Sequence, residues 1–143
     1  MSSVDPAAAE LERSSERWLA WLAEELARRD YPPRSALLAL WDVLEEWFAS
    51  DEFAGSEVAA AAAAPSDGRE QAIQAVLAGH RLAVRRLLED LARAAGARDP
   101  AVLAAQLQLL VEGAIVGAVV DRHPGVARHA RELTEIALDS GPG

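Results

Sequence analysis

The sequence predicts an all-α fold, one six-helix domain over residues 1–143, on three observations. Apolar residues recur at three- and four-residue spacing in successive segments. Two Asp-Pro pairs, Asp5-Pro6 and Asp99-Pro100, read as caps followed by proline in the first helical turn, where its missing N–H costs nothing. No segment alternates apolar and polar residues long enough to make a strand.

The first helix, about 6–30, opens at Asp5-Pro6 and sets Leu11, Ser15, Trp18, Leu22 and Leu26 on one stripe, with Glu10, Arg13, Arg17, Glu24 and Arg28 on other faces. Tyr31-Pro32-Pro33 stops it, because the residue before a proline avoids the helical region. The second, about 34–50, carries Leu37, Trp41, Leu44 and Phe48 on a core stripe flanked by Leu40 and Trp47. A third, about 51–64, is capped by Asp51 and includes Phe53, Val58 and the run Ala59 to Ala64; alanine favours helix by propensity, and its small size lets neighbours approach.

Pro65-Ser66-Asp67-Gly68 ends that helix and begins a fourth, about 67–95, with the stripe Ile73, Leu77, Val84, Leu87, Leu88 and Leu91. His80 stands in the middle of this stripe, and Gly96 is the expected C-terminal cap. The fifth helix, about 100–120, is apolar almost all round. The sixth, about 124–138, puts Val126, Ala130, Leu133 and Ala137 on one side and arginines and glutamates on the other, before a frayed tail at Gly141-Pro142-Gly143.

A chain of 143 residues with 51% apolar and 26% charged residues suits a single globular domain with its own core. The absence of cysteine excludes disulfides, thiolate catalysis and zinc-thiolate sites. Met1 to Glu10 has neither a basic start nor an apolar signal core, so the expected location is cytoplasmic. All 14 basic residues are arginine, and the net charge of -9 repels phosphate backbones, so no direct nucleic-acid binding is expected.

The stretch Ala101 to Val120 would span roughly 30 Å, enough to cross a bilayer. Gln106, Gln108 and Glu112 within it, and flanks Arg98, Asp99, Asp121 and Arg122 without a positive bias, speak against a membrane. A helix with its own core on one face and a second subunit on another fits better, and this predicts a homodimer. Gly113, Ala114, Gly117 and Ala118 would let a partner helix pack closely. A monomer whose central helix is wholly buried is the alternative.

Three stretches, taken in order and spacing, resemble a known family. They are Tyr31-Pro32-Pro33-Arg34 leading through Leu37 to Trp47-Phe48-Ala49-Ser50; Phe53-Ala54-Gly55; and Gly96-Ala97-Arg98-Asp99-Pro100 leading to Leu109-Leu110-Val111-Glu112-Gly113-Ala114-Ile115. Over nearly the whole chain the pattern is similar to the C-terminal regulatory domain of bacterial TetR-type transcriptional regulators, in the LmrA/YxaF-like branch. The resemblance implies a small-molecule-sensing domain that dimerises through its last two helices as a four-helix bundle. The implied interface takes in Leu107, Glu112, Gly113, Ala114, Gly117, Ala118, Val126 and Leu133. The chain opens at what matches the connecting helix of that family, and Met1 to Pro6 cannot form a three-helix DNA-reading unit. The expectation is a sensor domain, excised or stand-alone, without its own DNA-binding unit.

A regulatory pocket in that fold would lie between the second, third, fourth and fifth helices, walled by Trp41, Leu44, Phe48, Phe53, Val58, Ile73, Leu77 and Leu110. Each of these also serves as ordinary core. Where the branch has a bulky apolar residue, an asparagine and a glutamate, this chain has Val58, Ala60 and Ala64, which implies a more apolar pocket for a small apolar ligand. The polar exceptions are His80, which matches a histidine of the branch, and Gln106, on the face of Val102, Leu109 and Gly113. The alternatives are a buried imidazole satisfied by a carbonyl and an interhelix hydrogen bond.

No catalytic set accompanies His80. His123 and His129 lack metal-ligand spacing, the pairs Glu24-Glu25 and Glu45-Glu46 point apart on a helix, and neither a phosphate loop nor a nucleophile elbow occurs. No catalytic residue, metal or cofactor is therefore predicted. Two further readings are a stand-alone dimerisation scaffold and a small enzyme recruited from this fold with His80 as general base.

Overall fold

The computed structural model describes residues 5–64, 70–123 and 125–139. Over these residues the protein is all-helical, in the order α1 (Pro6–Arg29), α2 (Pro33–Phe48), α3 (Asp51–Ala54), α4 (Glu57–Ala63), α5 (Gln71–Ala94), α6 (Pro100–Val120) and α7 (Val126–Asp139). The two Asp-Pro signals act as read. The Asp5 carboxylate accepts from the backbone N–H of Ala7 at 2.9 Å and of Ala8 at 3.3 Å, and Asp99 accepts from Val102 at 3.2 Å. Gly96 closes α5 in a left-handed conformation, φ 80°, as a C-terminal glycine commonly does.

The expected third helix is two helices, which makes seven in place of six. Ser50 accepts from the N–H of Phe53 at 3.3 Å and Ser56 from that of Ala59 at 3.2 Å, so each serine starts its own helix on either side of Gly55. The alanine run extends α4 only to Ala63. The expected start of the next helix at Pro65 to Gly68, the Pro124 start of the last helix and the glycine-rich tail lie outside the described residues. Glu70 stands as the N-cap of α5 and Val126 begins α7.

α2 forms the centre, with Leu37, Leu40, Trp41, Val43 and Leu44 all but inaccessible. α1, α5 and α7 pack around it, and α6 lies against α4, α5 and α7. One buried polar link runs through this core: Trp41 Nε1 donates to Thr134 Oγ1 at 2.7 Å, and the threonine hydroxyl donates to the Ala130 carbonyl at 2.8 Å. Ion pairs join neighbouring helices on the outside, Arg29 with Glu46 at 2.9 Å and Arg128 with Glu45 at 2.9 Å. Arg34 is bonded to Asp139 in the same way. Such exposed pairs each add little to stability.

α6 is not surrounded by its own chain. It buries Leu103, Ala104, Leu107, Gln108, Val111, Ala114, Ile115 and Ala118, while Ala101, Val102, Gln106, Leu109, Gly113, Val116 and Val120 face solvent. None of the solvent-facing seven carries a charge. By length and composition this helix alone among the described residues could cross a membrane, and 44% of its most apolar window is buried in the protein. Core helices of soluble proteins pass the same test of length and composition.

Candidate functional site

A cavity of about 490 Å³ opens between α5 and α6, closed off by α1 and α4. Leu77, His80, Arg81 and Val84 come from α5, and Gln108, Leu109, Val111, Glu112, Gly113, Ile115 and Val116 from α6. Trp18 and Ala62 complete it. Its size falls within the range of small-molecule sites, and its lining is mostly apolar with a few polar groups, as such sites require.

The polar groups are firmly held. Ser15, in the α1 stripe, lies with its Oγ 2.7 Å from Nδ1 of His80, both side chains being buried. The indole of Trp18 packs against the imidazole at a centroid distance of 5.5 Å. Burial pushes the His80 pKa below the usual imidazole value, and the Glu112 carboxylate opposes that shift only in part. The ring is therefore neutral at physiological pH. At the rim, Arg81 Nε donates to Glu112 at 2.7 Å, so the two charges answer each other.

Gln108 is only 4% exposed and was not singled out by the sequence. Its amide oxygen accepts from Arg85 Nε at 2.6 Å and its Nε2 donates to the Arg81 carbonyl at 2.7 Å, which fixes α6 to α5 along the cavity wall. A signal was present: Gln108 interrupts the buried row Ala104, Val111, Ile115 and Ala118. Because α6 is apolar on nearly every side, with Gln106 and Glu112 on other faces, no periodicity marked that row as the inner one. Trp18 was assigned to the core stripe, yet it also forms part of the wall, and its buried Nε1 has no hydrogen-bond partner among the described residues.

Of the expected ligand residues, Leu77 and His80 line this cavity. Trp41 and Leu44 do not: both lie deep in the core of α2, whose place at the cavity is taken by α1. Val58 is core, and Ile73 and Leu110 are half-buried against it. Phe48 and Phe53 border a separate hollow with Ala118, Val119 and Arg122. Their rings are 5.1 Å apart, edge to face, and both pack on Trp47. Gln106 is solvent-facing in an open groove with Arg34, Asp99 and Val102, away from His80; it shares a face with Leu109 and Gly113 as read, but that face is the outer one.

The residues expected at a subunit interface divide in the same way. Leu107, Ala114 and Ala118 are buried within the chain, on the inner face of α6. Gly113 and Leu133 are exposed. Gly117 serves an internal contact, since a Cβ there would stand 3.4 Å from a methyl of Val126 on α7. Glu112 is half-buried and engaged by Arg81.

Among the described residues no group of three or more His, Asp or Glu side chains could hold a metal, and His123 and His129 stand as a pair with centroids 6.4 Å apart. Comparison with known proteins gives no match: no family model, no curated protein and no solved structure is similar to this chain.

Proposed function

We propose that the protein is a cytoplasmic, dimeric small-molecule-sensing domain of the TetR regulatory type, acting through a DNA-reading unit that these residues do not themselves form. The observation that carries the reading is the largely apolar cavity between α5 and α6, with a neutral His80 held by Ser15 on its wall. The order of the three sequence stretches supports the family, and the uncharged outer face of α6 supports the dimer. Val102, Leu109, Val116 and Val120 on that face, with Leu133 and Ile136 on α7, are large exposed apolar side chains on two neighbouring helices. A second copy presenting the same surface about a twofold axis would remove them from water.

Native mass spectrometry of the purified protein, followed by denaturing release, tests this. The expected result is a dimer mass with a small molecule set free on denaturation, or taken up when the empty dimer is offered a library of small apolar compounds. A monomer overturns the dimer. A dimer that neither carries nor takes up such a molecule favours the second reading, a dimerisation scaffold, which the same exposed apolar residues support.

A further inference from the structure

We infer that the second copy in the proposed dimer completes the cavity between α5 and α6, so that an apolar ligand and the partner subunit each strengthen the binding of the other. This inference rests on the dimeric sensor reading and specifies how its two parts are linked.

The cavity is unfinished within one chain. Its α6 wall takes in two rows of that helix: Gln108, Val111 and Ile115 are buried on the inner side, whereas Leu109, Gly113 and Val116 are exposed. The exposed three follow at spacings of four and three residues, which sets them in one line along the outer face. Leu109 is 69% exposed and Val116 40%, and nothing stands within 4 Å of where a Cβ on Gly113 would be. A cavity bounded by both rows reaches the outer face of α6 and is open there. Small-molecule sites bury about 70–90% of their ligand's surface. A molecule seated against this line of residues keeps one side in water until another surface covers it.

The charge of the chain points to a second copy as that surface. With a net charge of -9, two copies repel each other, and they meet at least cost through a face that carries no charge. The outer face of α6 is such a face along its whole length, from Val102 to Val120. Arg81 and Glu112, the charged residues at the edge of the cavity, are paired at 2.7 Å, so neither presents a bare charge to a neighbour. About a twofold axis at this face, the line Leu109, Gly113 and Val116 of one copy lies against the same line of the other, and each copy covers the open side of its partner's cavity.

The coupling has a definite sign. Covering the opening removes the exposed side of the ligand from water together with Leu109 and Val116, so the ligand binds more tightly to the dimer than to the single chain. By linkage, each occupied cavity strengthens association by the same factor, and with one cavity per chain the two factors multiply.

N-phenyl-1-naphthylamine, an uncharged apolar fluorophore, serves as the probe. Its binding to the full chain is titrated by fluorescence at protein concentrations below and above the dimer dissociation constant, which sedimentation measures with and without the probe. The dimer should bind the probe about tenfold more tightly than the single chain, and saturating probe should lower the dimer dissociation constant about a hundredfold, the square of that factor. Leu133→Arg, on α7 and outside the cavity lining, should give a monomer that binds the probe with the weaker affinity at every concentration. Ala62→Trp, which fills the cavity from an exposed position on its wall, should abolish probe binding and leave association without the probe unchanged. Should either variant fail to fold by circular dichroism, the two wild-type constants still decide. Equal affinity of the two states, or tighter binding by the single chain, overturns the inference and leaves the dimer and the sensor standing. Coupling that survives Ala62→Trp belongs to another site and overturns it as well. If neither state binds the probe the inference falls, while the sensor reading is decided by the library of apolar compounds. A monomer at every concentration removes the dimer and this inference together.

Discussion

Ser15 Oγ and His80 Nδ1, 65 positions apart in the chain, meet at 2.7 Å inside the protein and tie α1 to α5 beside the cavity. Each residue is the polar exception in an otherwise apolar stripe, so each needs the other to be buried without loss. The consequences extend from stability to pH.

The His80 ring takes up a proton less readily in the folded protein than in the unfolded chain, because burial disfavours the charged imidazolium. Its contribution is thus fully present above the unfolded value of about 6.5. As the pH falls below that value the unfolded chain gains a proton that the native state refuses, and stability declines by up to about 1.4 kcal/mol per pH unit until the lowered native value is reached. Urea unfolding of wild type and His80→Asn between about pH 7 and pH 5 should show a steeper loss for wild type. Glu112 and Arg81, the charged groups near the ring, remain in both proteins, so parallel curves would refute the assignment.

The Trp41 to Thr134 hydrogen bond gives a second prediction. Thr134→Val keeps the shape but strands the indole N–H in a fully buried place. The expected loss is about 1–3 kcal/mol, read from the urea midpoint. The double variant with Trp41→Phe should cost less than the sum of the single changes, because the stranded donor is gone.

Gly113 separates protomer from assembly. Nothing stands within 4 Å of where its Cβ would be, so Gly113→Ala should raise the stability of the isolated chain by about 0.5–1 kcal/mol through helix propensity. In the proposed dimer the same methyl group meets a partner helix. Thermal unfolding should therefore improve at low protein concentration, while sedimentation shows weaker self-association. Unchanged association would remove Gly113 from the interface.

Leu109 is 69% exposed on the uncharged face of α6, and Leu133 is exposed on α7. Leu109→Arg and Leu133→Arg should each give a folded monomer by size-exclusion chromatography with light scattering, with circular dichroism unchanged. A dimer that survives both substitutions would mean that another surface joins the subunits.

The all-helical fold was legible because its signals are local. Asp5 and Asp99 cap where they stand in the sequence, and the amphipathic stripes of α1, α2 and α5 name their own buried faces. The break between α3 and α4 was missed because alanine-rich sequence favours continuation, whereas the hydroxyl of Ser56 restarts the helix at little cost. In the site, His80 was visible as a polar residue in a leucine stripe. Ser15 stood in the α1 stripe without being marked as its partner, since pairing across 65 positions leaves no local trace. Gln106 was preferred to Gln108 because a helix apolar on all sides does not declare which face turns inward; contact with α5 decides that.

Leu109, Gly113 and Val116 belong at once to the rim of the cavity and to the outer face of α6. A substitution at any of the three therefore acts twice, since a side chain that reshapes the opening also reshapes the surface that the proposed dimer would present to its second copy. Val102, Val120 and Ile136 lie off that rim, so changes there alter the outer surface alone.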